Sequence, residues 1–171
     1  MNYSKPVLGF AAFSGTGKTM LLEKLILQLA EQGVRIAVVK HAHHEFDVDK
    51  PGKDSYRLRK AGARQMLIAS SKRQALMTET TPPAEPQLDE LVHRLDLDMI
   101  DLVLVEGFKH VPFPKIELHR PSLGHTLLYP DDSNIIAVAT DSPIDTGTLP
   151  LLDLNNVEAV SGFVQAWLNE Q

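Results

Sequence analysis

Eight residues near the start of the chain, Ala12-Phe13-Ser14-Gly15-Thr16-Gly17-Lys18-Thr19, constrain its fold more than any other segment. They close an apolar run that begins at Val7 and lead into a helix-patterned stretch that begins at Lys18. A strand, a glycine-bearing loop and a helix in that order form a phosphate-binding loop, the Walker A arrangement. Glycines let such a loop bend until its backbone N–H groups converge on one anion. The helix N-terminus adds its unsatisfied N–H groups and the positive end of its dipole. The pattern assigns Ser14, Gly15, Thr16 and Gly17 to the cradle, Lys18 to the β- and γ-phosphates, and the Thr19 hydroxyl to Mg²⁺. Its first position is usually glycine and here is Ala12. The expected ligand is a nucleoside phosphate.

The rest of the pattern fits the α/β fold such a loop requires. Leu21, Leu22, Leu25, Ile26, Leu29 and Ala30 recur at helical spacing over residues 18–32, and Gly33 supplies a stop. Ile36-Ala37-Val38-Val39 is too short for a helix and lacks alternation, as in a strand buried on both faces. A polar stretch over 41–62 ends in a short charged helix near 54–60. Residues 64–70 and 74–78 read as strands, and the prolines at 82, 83 and 86 make 80–86 a loop. A helix bearing Leu88, Leu91, Val92 and Leu95 follows. Further strands are expected at 102–105, 115–118 and 135–139, with a weaker one at 149–152. The last helix carries Val157, Val160, Val164, Trp167 and Leu168, with Asn155 as N-cap and Glu158 completing a capping box. Strands alternating with helices predict a mostly parallel sheet in three layers. At 171 residues a single domain spanning 1–171 is expected.

Composition narrows the function classes. A net charge of −5 argues against general nucleic-acid binding, which needs a basic face. No segment approaches the roughly 20 apolar residues of a membrane span, and the N-terminus lacks the apolar core of a signal peptide. The absence of cysteine removes thiolate metal sites and fits a cytoplasmic protein.

Ligands of open α/β sheets bind beyond the carboxyl ends of the strands. That rule separates two carboxylates flanking one strand, Asp101 and Glu106, which lie roughly 16 Å apart at ~3.3 Å per residue. Glu106 takes the functional position, binding Mg²⁺ or positioning the attacking water. Lys40 and Lys109 border the same edge, where they either meet a polyanion or are simply solvated. The imidazoles and carboxylates of 41–49 have three readings: an active-site rim, a substrate or partner contact, or a metal site. Asp49 and Asp54 are further candidates for the Mg²⁺ shell. Asp141, just past the strand at 135–139, either reads guanine or opens a turn before Pro143.

Four blocks occur in order: the phosphate loop itself, Lys40-His41-Ala42-His43-His44, Asp49-Lys50-Pro51-Gly52-Lys53-Asp54-Ser55-Tyr56, and Leu104-Val105-Glu106-Gly107-Phe108-Lys109. Together they resemble the molybdopterin-guanine dinucleotide biosynthesis protein B family over nearly the whole chain. The resemblance implies a P-loop NTPase-like fold with extra strands for dimerisation. It implies a GTP-binding protein with weak GTPase activity that acts late in molybdenum cofactor biosynthesis. Its implied partner is the guanylyltransferase that attaches GMP to molybdopterin, with molybdopterin a further candidate contact. By the same resemblance residues 15–19 are the phosphate loop and Glu106 is the Walker B-type acid, while the block at 41–54 has no transferred role. A P-loop small-molecule kinase, with Arg57, Arg59 and Arg64 on a lid, and a metal-delivery GTPase using His41, His43 and His44 are the alternatives.

Overall fold

Short apolar runs without alternation become the inner strands of one parallel sheet, because a strand covered on both faces has no polar side to display. The computed structural model describes residues 3–42 and 46–171. In chain order its elements are β1 (Val7–Ala12), α1 (Lys18–Glu31), β2 (Ile36–Lys40), α2 (Asp54–Lys60), β3 (Gln65–Ala69), β4 (Gln74–Thr78), α3 (Leu88–Val92), β5 (Leu102–Glu106), β6 (Lys115–His119), β7 (Ile135–Thr140), β8 (Leu151–Asp153) and α4 (Val157–Asn169). The chain divides into two compact units, Met1–His41 with Gln87–Gln171, and Ala42–Pro86.

The larger unit holds a six-stranded sheet in the order β2-β5-β1-β6-β7-β8, with every neighbouring pair parallel. β5 flanks β1 on one side and β6 on the other, so the phosphate loop leaves the middle of the sheet. On one face Leu8, Phe10, Leu104, Ile116 and Leu118 pack with Leu22, Leu25 and Leu29 of α1 and Val160 and Val164 of α4. On the other, Val7, Val39, Val103 and Val105 pack with Leu88 and Val92 of α3 and with Phe113. This is the three-layer α/β arrangement that the alternating pattern predicts.

Boundaries differ from expectation in three places. α3 stops at Val92, since Arg94 and Leu95 donate to the carbonyls three residues back and tighten the last turn before a 3₁₀ turn at Leu97–Met99. β8 begins at Leu151, after Pro150, whose missing N–H leaves it only a carbonyl, which accepts from Val138. The cap of α4 is Asn156, whose side chain accepts from the Ala159 N–H at 3.0 Å. The adjacent Asn155 is free for another task.

The smaller unit is built differently. β3 and β4 form an antiparallel hairpin with Leu67 opposite Leu76, and Ser70 closes its turn by accepting from the Lys72 and Arg73 N–H groups at 3.2 and 3.1 Å. Arg59 of α2 is buried and donates to Asp47 at 2.5 Å, Asp49 at 2.7 Å and Glu79 at 2.8 Å. These charge-assisted bonds tie the segments before and after the hairpin to α2. Among the described residues no helix is long and apolar enough to cross a membrane.

Candidate functional site

Gly15 and Gly17 both have left-handed backbones, with φ of 84° and 92°, which turn the chain from β1 into α1. Thr16 is buried and its hydroxyl donates to the Phe13 carbonyl, so this side chain braces the loop and leaves ligand contact to the backbone. Gly17 is the N-cap of α1 and offers no side chain to its first-turn N–H groups, whereas α4 has Asn156. Uncapped N–H groups behind a glycine loop suit an anion.

Glu106 ends β5 beside this loop, level with Lys40 of β2 and Phe10 of β1. Lys18 Nζ lies 3.8 Å from its Oε1 and Lys40 Nζ 3.0 Å from its Oε2. A single carboxylate thus meets the phosphate-loop lysine and a second cation, and Mg²⁺ could take its place among them with the Thr19 hydroxyl as co-ligand. Asp101, at the amino end of the same strand, serves Arg35 instead. It accepts from the Arg35 backbone N–H and guanidinium, which hold its carboxyl well below the usual range. The two acids therefore lie at opposite ends of β5, Glu106 on the side of the phosphate loop and Asp101 paired with Arg35.

Beyond Glu106 the backbone is left-handed at Gly107 and again at Phe108, with φ of 96° and 53°. A Cβ on Gly107 would come within 2.7 Å of the His41 Cβ, so only glycine fits there. A non-glycine residue in this region costs about 1–2 kcal/mol. Phe108 offsets that by burying its ring and stacking on His41 at 4.8 Å, while His41 N–H donates to the Glu106 carbonyl. Lys109 sits 5.3 Å over the Phe13 ring, which also stacks on His125 at 4.3 Å. The following turn is held from beneath by buried Lys115, whose ammonium donates to the Lys109 and Val111 carbonyls and pairs with Asp132 at 2.7 Å. Glu117, two residues along β6, accepts the Leu128 and Tyr129 N–H groups and anchors that loop; burial pushes its carboxyl above the usual value.

Of the remaining candidates, Asp49 and Asp54 belong to the smaller unit. Asp49 is engaged by Arg59, whose guanidinium holds its carboxyl below the usual range, and Asp54 is exposed and 3.8 Å from Arg57. His43, His44 and Glu45 lie outside the described residues. Among the described residues no three His, Asp or Glu side chains converge as a metal site would require.

Asp141 follows β7, and here the structure adds a residue that the sequence reading overlooked. Arg120, the first residue past β6, donates from Nη1 to Asp141 Oδ2 at 2.6 Å, from Nε to the Thr16 carbonyl at 2.9 Å and from Nη2 to Asn155 Oδ1 at 3.2 Å. The strand-end rule that singled out Glu106 would have found Arg120 too, had it been applied to β6. A cleft of about 380 Å³ is lined by Gly15, Gly17, Lys24, Arg120 and Asn155. A second, of about 350 Å³, is lined by Asp141, Ser142, Pro143, Asp153 and again Asn155. The larger unit alone thus holds a phosphate loop, an acid at the neighbouring strand end and a cleft on the far side of Arg120.

The sequence pattern of the molybdopterin guanine dinucleotide synthesis protein B family matches residues 7–141. Over 170 residues the chain is 51% identical to the molybdopterin-guanine dinucleotide biosynthesis adapter protein of Escherichia coli, covering 97% of this chain and 95% of that protein. It is 45% identical to the protein of the same description from Haemophilus influenzae, covering 99% and 93%. Its fold superposes on the crystal structure of a molybdopterin-guanine biosynthesis protein B with a TM-score of 0.72, at 26% identity over 94% of this chain and 99% of that one. Bacillus subtilis MobB shares the fold with a TM-score of 0.74 at 24% identity, over 94% and 96%. On the span of that pattern and the identity to these relatives, the chain belongs to the molybdopterin guanine dinucleotide synthesis protein B family.

Proposed function

We propose that this chain is a GTP-binding adapter in molybdenum cofactor biosynthesis. It assists the guanylyltransferase that converts molybdopterin to its guanine dinucleotide form, and it hydrolyses GTP slowly to GDP and phosphate. The observation that carries this reading is the meeting of Lys18, Glu106 and Lys40 at the mouth of the phosphate loop. The family relatives described as adapter proteins support the pathway. Backbone N–H groups of residues 14–19 would cradle the phosphates, Lys18 would turn from Glu106 to the β- and γ-phosphates, and Thr19 and Glu106 would hold Mg²⁺ directly or through water. Lys40 then keeps the Glu106 carboxylate oriented. Asp141 accepts from the N–H donors of guanine.

Slow turnover follows from how the arginine at the phosphate loop is spent. Arg120 is committed to Thr16, Asp141 and Asn155 and is not available to the γ-phosphate. A missing arginine finger costs ~10³–10⁵ in rate, which a partner enzyme can restore. The exposed Leu67–Leu76 pair on the hairpin is the surface we assign to a homodimer. Calorimetric titration with GTP and with ATP, each with Mg²⁺, tests the nucleotide assignment. GTP preference is expected, and ATP preference with a phosphorylated small-molecule product would favour the kinase reading. A guanylyltransferase that neither bound the chain nor altered its GTP hydrolysis would end the adapter reading.

A further inference from the structure

Arg120 stands where three loops meet: the phosphate loop after β1, the Asp141 loop after β7 and the Asn155 loop after β8. Its guanidinium is planar and its N–H donors are fixed in direction, so it holds all three acceptors in one geometry. The contact to the phosphate loop is to a backbone carbonyl, that of Thr16, whose own hydroxyl is tied to Phe13. One side chain therefore links the phosphate loop to Asp141.

Asp141 has its Oδ2 taken by Arg120, while its Oδ1 is buried with no hydrogen-bond partner among the described residues. An ionised carboxylate oxygen is an acceptor only. A purine whose ring N1 and 2-amino group both carry hydrogens presents it with donors. Adenine presents an unprotonated N1, which repels it. Asn155 lines the clefts on both sides of this pair and accepts from Arg120, which fixes the arginine's far nitrogen.

We propose that Arg120 is a positioning residue that couples the phosphate loop to base selection by aiming Asp141 Oδ1 at a guanine-class base. The proposal rests on the guanine-nucleotide reading above. It assigns Arg120 no contact with the reacting phosphate. A lysine at this position reaches at most part of the set, because a single ammonium cannot span three loops in fixed directions.

The test uses the full chain and three probes with Mg²⁺: GTP, ATP and inorganic tripolyphosphate, titrated calorimetrically. Unaltered protein is expected to favour GTP over ATP by at least about tenfold, roughly the discrimination of a hydrogen-bonding site against a base that leaves it unpaired. Arg120→Gln and Arg120→Lys are expected to lower GTP affinity by roughly ten- to a hundredfold and bring the GTP-to-ATP ratio towards one. Tripolyphosphate affinity should stay within about threefold, and thermal melting of both variants checks that the fold persists. Arg120→Gln combined with Asp141→Asn should bind GTP no worse than the weaker single variant, because both changes break one link. Losses that multiply in the double variant, or a parallel loss of tripolyphosphate with the GTP-to-ATP ratio kept, would overturn the coupling and leave the guanine reading intact. Unaltered protein with no preference for GTP would overturn the guanine reading itself, and the role of Arg120 with it.

Discussion

Lys115 in the sheet and Arg59 beside the hairpin are both buried cations, and their surroundings show two ways of holding a fold together. Lys115 is buried over the Phe113 ring, binds two backbone carbonyls and meets one carboxylate, Asp132. Arg59 meets three carboxylates, in a unit whose strands leave Leu67 and Leu76 about 60% exposed. An isolated two-stranded hairpin is marginal in water. In the smaller unit the ion cluster therefore does what apolar layers do in the sheet. The lesson concerns function as well. The phosphate loop, Glu106, Arg120 and Asp141 all sit on the well-packed unit, while the hairpin of the other unit leaves Leu67 and Leu76 exposed.

The largest expected effect comes from removing Arg59. Arg59→Ala leaves three carboxylates facing one another, so amides within 46–86 should lose their hydrogen-exchange protection to the level of an unprotected chain. The sheet unit should keep its own protection, and simultaneous loss in both would erase the distinction between them. Next is Asp132→Ala, which strands the buried Lys115 charge and should cost about 3 kcal/mol in urea unfolding. Burial pushes the Asp132 carboxyl up, but Lys115 and Asn134 outweigh it and hold it below the usual range. A depressed carboxyl pKa means that the unfolded chain binds more protons, so this stability is present above about pH 4 and fades as the pH falls through the folded value. The gap between wild type and Asp132→Ala should narrow accordingly below pH 4. Asp49 is depressed in the same sense by Arg59, so acid should also loosen the smaller unit.

Smaller effects sharpen the contrast further. Leu67→Asp with Leu76→Asp should weaken self-association by at least about tenfold in sedimentation equilibrium while leaving the melting of the sheet unit unchanged. An unchanged association constant would move the dimer surface elsewhere. Asn156→Ala removes the side-chain cap of α4 and should cost about 1 kcal/mol, with no effect on the hairpin.

Much of the sheet unit could be read in advance because local chemistry dictates it. The phosphate loop carries its own signature, buried parallel strands read as unbroken apolar runs, and chain order sets Glu106 and Asp101 at opposite ends of β5. What escaped is long-range. Arg120 and Asp141 are 21 residues apart, and no local pattern pairs them. β6 alternates Lys115, Ile116, Glu117, Leu118 and His119, which resembles a half-exposed strand, yet all five are buried because loops cover its polar face. Glu158, three residues after Asn155, favoured Asn155 as the cap in sequence, yet Asn156 caps α4 and Asn155 accepts from the distant Arg120. The shared ion cluster at Arg59 was invisible for the same reason, as its partners lie 10 to 20 residues away.

The most direct test of the nucleotide site is calorimetric titration of Lys18→Ala with GTP and Mg²⁺, alongside wild type, with circular dichroism melting to establish that both are folded. Lys18 is partly exposed at the start of α1, so its loss should leave melting unchanged while GTP binding falls below detection. GTP affinity equal to wild type in folded Lys18→Ala protein would contradict the assignment of the phosphate loop.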